Sequence, residues 1–451
     1  MSGRRIAGPR SSLPWRWWGI FRYRCLVGLP WFWPAHPPGH YAMVEARRVL
    51  RWHFGRDHDP MRRKLAQVFV TVTWPLGVLL NLSEARSLVG RETSKRVPGA
   101  LWAAIRHNIL PSEYFAYGLW QPERRIKVDD YLYSNECARL FKVLNRPSQP
   151  NPIDDKQEFH DLCRAHAIPT PSVLAAFAPT GKLVDFASGG PPKHDLFVKA
   201  STGGSRAERF QWRGTDFESN RGRRIKPDDL AGYLVGRART EHLTLLVQPV
   251  LSNHSDLHVP SNGALATARV VTGRSIASIV TGIFGIMYYG RADEITSHTN
   301  CVALIDLATG RLMPSPPQDW PGVSMYQYRR FDSNDACTLP DWDAALQYVK
   351  LAHQACPNFV FVGWDVAFTP HGPMILEGNI NWDAATYQTL RGEPLGYTKF
   401  AKILAERLRE AVPPDRRDPE AFQLCWPRKG RDLSNYNNAR WAGQCSCTFS
   451  N

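Results

Sequence analysis

The sequence predicts an α+β chain in which a mainly helical leading region precedes a region of strands and turns. Period-two alternation between turn residues recurs in the second half, most plainly over Gly363–Asp383. Apolar stripes at helical spacing flank those strands, at Phe159, Leu162 and Cys163 and again at Phe400, Ile403, Leu404 and Leu408. At 451 residues the chain exceeds one ordinary core, so about two to three folding units are expected. The net charge of +15 is concentrated: residues 1–150 carry 24 Lys and Arg against 10 Asp and Glu, and the remainder is nearly neutral. An enzyme of nucleic acid would spread Lys and Arg around its cleft, so nucleic acid is not an expected partner. The nine cysteines are scattered, odd in number and without a CxxC pair, which points to a reducing compartment and against a disulfide framework or a Cys-rich metal site.

Residues 1–60 form a basic extension in which Trp15, Trp17, Trp18, Trp31 and Trp33 mix with Arg16, Arg22, Arg24 and recurrent prolines. No uninterrupted apolar stretch or small-residue cleavage site follows the basic start, so it does not read as a signal peptide. A disordered extension, with Met43 as an alternative start, is the favoured reading. A membrane-surface segment, and after it a nucleic-acid contact through stacking and charge, are the competitors. Ala66–Leu80 carries no charge over 15 residues, is short for a membrane span and contains Pro75, so a buried core segment is expected ahead of membrane association. Residues 1–83 are where peripheral membrane contact, at the inner face of the membrane of a cytoplasmic protein, is expected to reside. Pro98–Leu110 has a helical pattern with Pro98 suited to a first turn. Residues 61–150 are assigned to a mainly helical leading domain, and 413–451 to a polar tail.

The central region changes character. A helix opens at Asn151–Lys156, with Asp154 in capping position and Gln157 three residues on, and closes at Ala167–Pro171. Asp195–Ala200 is a strand that ends on Lys199-Ala200 and runs at once into Ser201-Thr202-Gly203-Gly204-Ser205. Leu243–Val250 is another strand, with Gln248-Pro249 at its end. Ala266–Thr272 and Ile276–Ile283 are expected to be separated by a turn at Gly273-Arg274. Cys301–Asp306 and Arg311–Met313 flank a Thr309-Gly310 turn, and Trp342–His353 reads as a helix.

Gly363–Asp383 reads as a β-hairpin. With His371 at the centre of the turn, Asp365 falls opposite Glu377 and Asn379 shares their face, while Trp364, Val366, Phe368, Met374 and Leu376 take the other. Two opposed carboxylates destabilise a strand pair unless positive charge lies between them. Carboxylates beside substrate phosphates are the ligands Mg²⁺ prefers. Lys199 before a Gly-rich loop is a place to hold phosphates, because glycine lets backbone N–H groups approach and lysine supplies charge. Together these features point to a nucleotide–Mg²⁺ site, the alternatives being an exposed acidic hairpin without a ligand and an ordinary loop. Walker A, GxGxxG, HExxH and GxSxG patterns are absent.

These residues, in this order, resemble the ATP-grasp enzymes, and most closely the sugar-transfer-associated ATP-grasp group related to α-L-glutamate ligases. The likeness is carried by HNILPSEYFAYGLW (107–120), DDKQEFHDLCRAHAIPTP (154–171), ATARVVT (266–272) and GWDVAF with GPMILEGN (363–379), and it extends over residues 95–412. It implies an ATP-grasp fold over 151–412, two α+β subdomains clasping ATP. Under the resemblance Lys156 and Lys199 would contact ATP, Lys199 through the phosphates, and Gly203, Gly204 and Ser205 would cover those phosphates. Gln248, Pro249 and Val250 would lie against adenine. Asp365, Glu377 and Asn379 would hold one or two Mg²⁺, with Mn²⁺ as an alternative. Arg269 and Lys199 would be the catalytic cations, Arg269 facing the γ-phosphate or the acyl-phosphate formed from it. Asn381 would be a further polar lining residue. Thr267 departs from the acid that glutamate ligases often place there for the ribose.

The activity so implied is an ATP- and Mg²⁺-dependent ligase that joins a small-molecule carboxylate to an amine, or less often a thiol, in sugar or polysaccharide modification. A phosphotransferase using the same site is the alternative enzyme. A membrane- or nucleic-acid-associated binding protein with a degenerate ATP site is the non-enzymatic alternative, and the intact acidic set argues against it.

Overall fold

Two antiparallel sheets carry the fold, and residue alternation decides which face of each is covered. The computed structural model describes residues 43, 61, 68, 74–83, 85, 91–107, 109–145, 151–187, 190–203, 207–257, 264–289, 301–314 and 337–411. The extension over 1–60 apart from Met43, the site residues Gly204 and Ser205, and the tail over 413–451 lie outside the described residues. The leading region supplies helices α1 Val97–His107, α2 Pro111–Ala116, α3 Pro122–Arg125 and α4 Ser134–Leu144. Residues 74–83 are helical as well. Trp74 and Val78 of that stretch pack with Leu101 and Ala104 of α1, but Leu76, Leu79 and Leu80 are exposed, so the described residues 74–80 of the uncharged stretch expected in the core are core on one face only. Among the described residues no helix is long and apolar enough to cross a membrane.

Helix α5, Lys156–Ala165, is capped by Asp155, not by the expected Asp154: the Asp155 carboxylate accepts from the amides of Gln157 at 2.7 Å and Glu158 at 3.2 Å. The first sheet then forms from β1 Ala175–Ala178, β2 Gly181–Val184, β3 Leu196–Ala200, β4 Glu208–Trp212, β5 Phe217–Ser219, β6 Arg224–Ile225 and β7 Leu245–Pro249, in the order β2-β1-β7-β3-β4-β5-β6. On β3, Leu196, Val198 and Ala200 are buried, while Phe197 and Lys199 point to the other face. Leu196 and Val198 pack with Phe210, Phe217, Leu230 and Leu234, the last two from α6 Pro227–Glu241. That helix was not expected. Its signals are Pro227 in the first turn with Asp228 and Asp229 beside it, at the positive end of the helix.

The second sheet comprises β8 Thr267–Arg274, β9 Val280–Tyr289, β10 Cys301–Ile305, β11 Leu312–Met313, β12 Phe361–Thr369 and β13 Gly372–Asn379, in the order β11-β10-β9-β8-β12-β13. Helix α7, Trp342–Ala355, covers one face, where Ala345, Val349 and Ala352 share a core with Val270, Met287, Trp364, Val366 and Ile375. Helices α8 Ala385–Arg391 and α9 Lys399–Ala411 come last.

Two register expectations change here. Strand β8 continues through Gly273-Arg274, and the turn lies at 275–279, closed by the Ser275 amide on the Ile279 carbonyl at 3.0 Å. Strand β9 therefore starts at Val280 and runs to Tyr289. Gly282 and Gly285 disguised it. A Cβ at Gly285 would lie 3.1 Å from that of Ile305 on β10, so the glycine permits a close strand approach. In the hairpin, Thr369 pairs with Gly372, so the turn is Pro370-His371. A bulge between Asp365 and Val366 absorbs the odd residue, and Asp365 still faces Glu377. Consequently Ile375, not Met374 or Leu376, joins Trp364, Val366 and Phe368 in the core.

Candidate active site

Arg269 on β8, Asp365 on β12 and Glu377 on β13 form one cross-strand row, since Arg269 pairs with Asp365 and Asp365 with Glu377. Directly paired residues of antiparallel strands share a face, which brings one guanidinium and two carboxylates together. Arg269 forks onto Asp365, with Nε to Oδ1 at 2.8 Å and Nη2 to Oδ2 at 2.7 Å. Burial works against the Arg269 charge, but the Asp365 carboxylate outweighs it and holds the guanidinium pKa above its ordinary value. Asn379 donates its amide to Asp365 Oδ2 at 3.3 Å. Gly363 makes room for this group: a Cβ there would meet Trp382 Cβ at 3.0 Å and Arg269 Cδ at 3.6 Å.

Of the two lysines, Lys199 lies on β3 of the first sheet and Lys156 opens helix α5. The Asp155 cap also accepts the Ser201 hydroxyl at 3.2 Å, and the Lys156 amide donates to the Ser201 carbonyl at 2.8 Å. The start of α5 is thus stitched to the loop after β3. From that anchor Lys156 Nζ donates to the Gly203 carbonyl at 3.0 Å and lies 3.5 Å from Glu377 Oε2. One ammonium therefore spans the Gly-rich loop and β13. Burial depresses the Lys199 pKa to about 8; Glu377 opposes that shift and Lys156 adds to it. Burial pushes the Glu377 carboxyl upward, but Lys156, Lys199 and Arg269 together hold it below its ordinary value. Lys156, Lys199 and Arg269 outnumber Asp365 and Glu377, and the excess positive charge suits a polyanion. Gly203 has φ +74° and open space where its Cβ would stand, so its conformation alone calls for glycine.

Gln248 is buried, and its amide donates to the Pro171 carbonyl at 3.1 Å. It pairs with Phe197, and Pro249 pairs with Leu196, which sets this strand end beside β3. The Val250 amide already donates to the Asp195 carbonyl at 3.1 Å, so that amide is taken within the sheet edge. Asn381 is exposed. Among the described residues no group of at least three His, Cys, Asp or Glu could hold a metal; of the residues expected to do so, Asp365 pairs with Glu377 and accepts the Asn379 amide. Sequence reasoning missed Tyr288, whose ring lies 5.9 Å from Arg269 Cζ and whose hydroxyl is pushed up to about 12 by burial. It stands beyond the expected end of its strand. Asp155 was missed as well, because a run of two aspartates does not say which one caps.

A lysine-bearing strand and Gly-rich loop on one antiparallel sheet, set against an acidic row on another, define an ATP-grasp protein. The model of the sugar-transfer associated ATP-grasp family matches residues 135–399, and the chain belongs to that family. Among solved structures it is similar to an L-amino acid ligase from Bacillus licheniformis, with TM-score 0.33, 10% identity, and 60% of this chain and 53% of that chain covered. It is similar to a D-alanine–D-alanine ligase from Bacillus anthracis complexed with ATP, with TM-score 0.32, 10% identity, and 57% and 66% covered. An N5-carboxyaminoimidazole ribonucleotide synthetase from Thermotoga maritima gives TM-score 0.29, 13% identity, and 56% and 49% covered. The chain spans less than two thirds of the length of each of these chains. No functionally curated protein matches it in sequence.

Proposed function

We propose that this protein is an ATP-dependent ligase that joins a carboxylate to an amine, or less often a thiol, through an acyl-phosphate, with a sugar or polysaccharide precursor as one substrate. The observation that supports this reading is the row Arg269–Asp365–Glu377, joined through Lys156 to the loop after Lys199. The residues suit Mg²⁺. Asp365, Glu377 and Asn379 offer hard oxygen donors, and Mg²⁺ takes one or two carboxylates beside phosphates. Both carboxylates are already paired with cations, as a site that needs positive charge must be. Bound Mg²⁺, or Mn²⁺, would supply further positive charge against the phosphate oxygens.

In this reading Gln248, Pro249 and Val250 orient the adenine, and Gly203, Gly204 and Ser205 cover the phosphates. Lys156 fixes the loop at Gly203. The substrate carboxylate attacks the γ-phosphorus, and the bond to the β-phosphate oxygen breaks to release ADP. Lys199 and Arg269 offset the charge that develops on the transferring group. The amine then attacks the acyl carbon, phosphate departs, and the amine proton passes to solvent. The scattered cysteines, without a CxxC pair, fit this reaction to the reducing cytoplasm, where ATP is at hand.

The test is a screen of the purified protein for ADP and phosphate release against pools of amino acids and acidic sugars. Release that needs both a carboxylate and an amine supports the ligase. A stable phosphorylated product formed without any amine would replace it with a phosphotransferase.

A further inference from the structure

The leading helices present an apolar surface that the ATP chemistry does not use. Helical residues 74–83 and α1 meet through Trp74, Val78, Leu101 and Ala104. Away from that contact, Leu76 and Leu79 are each 57% exposed, Trp102 49% and Ile105 54%. Residues 76, 79 and 80 fall on one side of their helix, and 102 and 105 on one side of the other. A surface helix buries one stripe and turns polar residues outward; these two are apolar on both sides, so the outer stripes have a second apolar environment to meet. The sequence charge of the region decides which. Residues 74–83 carry no charge, α1 carries Arg106 and no acid, its His107 beside the Trp102 ring stands 3.4 Å from Asp129, and along the sequence residues 61–107 hold 8 Lys and Arg against 2 Asp and Glu. A second copy would bring the same excess of positive charge and be repelled, whereas a surface of anionic headgroups over acyl chains matches both the charge and the apolar side chains. Trp102 suits that boundary, with an apolar ring and a polar N–H. With no spanning helix among the described residues, the mode of contact is lying on the surface.

We propose that this two-helix face docks the protein on an anionic bilayer, with Leu76, Leu79, Trp102 and Ile105 inserted at the headgroup boundary. The proposal does not rest on the ligase reading. The test is flotation of the full chain with vesicles of phosphatidylcholine alone and of phosphatidylcholine mixed with phosphatidylserine. Binding is expected only with phosphatidylserine, weakening as salt rises. The double substitution Trp102→Gln with Ile105→Gln, and separately Leu76→Gln with Leu79→Gln, is expected to lower partitioning by about tenfold or more, with circular dichroism unchanged. Because all four residues are exposed, at least one of the two variants should fold, and the salt series on the natural chain is a further arm. No flotation, or equal flotation with both lipids, overturns the proposal. Variants that float as well as the natural chain assign the binding to another segment, such as the basic Trp-rich residues 1–60, and overturn it too. So does a concentration-dependent dimer that the variants dissolve, since a second copy then covers the face.

Discussion

Asp365 is gripped from two sides, by the Arg269 guanidinium and the Asn379 amide, so its charge can be removed without changing its volume. Asp365→Asn is expected to cut ADP release with both substrates by about 100- to 1000-fold, the scale of a lost electrostatic contact in the transition state. Circular dichroism should stay the same. Full turnover at saturating Mg²⁺ would take Asp365 out of the proposed metal set. In the proposed site Lys156 serves binding, since it holds Gly203 and Glu377 from the start of a helix. Lys156→Met should therefore raise KM for ATP by about tenfold and change kcat less, because a partly exposed charge-assisted contact is worth about 1.5 kcal/mol. A fall in kcat at unchanged KM would instead give Lys156 a role in the transition state. How far these residues could be read in advance depends on the range of the contact. Lys199 before its glycines and the pair Asp365–Glu377 are local patterns, and hairpin parity alone brought the carboxylates together. The fork of Arg269 onto Asp365 joins strands 96 residues apart, and no local spacing encodes that register, so only the family resemblance pointed to Arg269.

At the scale of elements, one buried imidazole ties α7 to the second sheet. His353 Nδ1 stands 2.7 Å from the Thr272 hydroxyl and its Nε2 stands 2.9 Å from the Phe359 carbonyl, while Trp364 Nε1 donates to the same hydroxyl at 2.8 Å. A carbonyl only accepts, so Nε2 carries the proton; burial keeps the ring neutral, which leaves Nδ1 to accept from Thr272. Burial pushes its pKa down to about 4, against about 6.5 in an unfolded chain. Between those values the unfolded chain takes up a proton that the folded chain refuses. Stability is therefore full above about pH 6.5 and falls by about 3 kcal/mol as pH drops to about 4. The thermal midpoint of the natural chain should decline across that window, and His353→Gln should show a shallower slope. Identical slopes would show that His353 does not take up the proton. Elements with clean periodicity, such as α5, β3 and the hairpin, were legible. The bulge beside Asp365 was not, because an extra residue leaves no mark when apolar residues stand on both faces: Ile375 fits the core as well as Met374 and Leu376 on the opposite face do. Helix α6 escaped because Gly232, Gly236 and its arginines break its apolar stripe. Strand β9 escaped because the glycines that let it approach β10 look like turn residues.

At the scale of the whole chain, two side-chain amides join the leading helices to the second sheet and the helices after it. Asn145, just after α4, accepts the amides of Val360 at 2.7 Å and Phe361 at 3.3 Å and donates to the Phe361 carbonyl at 3.2 Å, standing in for a strand partner at the start of β12. Gln388 of α8 accepts the Leu132 amide at 2.9 Å and the Leu395 amide at 3.1 Å, and donates to the Leu132 carbonyl at 2.8 Å. Both amides are buried, so each bond satisfies a backbone group that water does not reach. These contacts cross residue 150, where the composition changes character, and they are expected to couple the two sides energetically. Gln388→Leu strands the Leu132 amide and carbonyl and is expected to cost about 2–4 kcal/mol. In denaturant it should move the unfolding of the helices and of the second sheet together. The same coupling is expected to carry ligand binding outward. Nucleotide at about 100 times its Kd adds about 2.7 kcal/mol to a folded state that alone binds it. In a coupled unit, hydrogen exchange should therefore slow in α1, α2 and α4 as well as in β8, β12 and β13 when Mg²⁺ and ATP are added. Protection confined to the sheets, with the helices exchanging as before, would show that Asn145 and Gln388 hold two independently unfolding parts in contact, and the activity would then tolerate loss of the leading helices that coupling forbids.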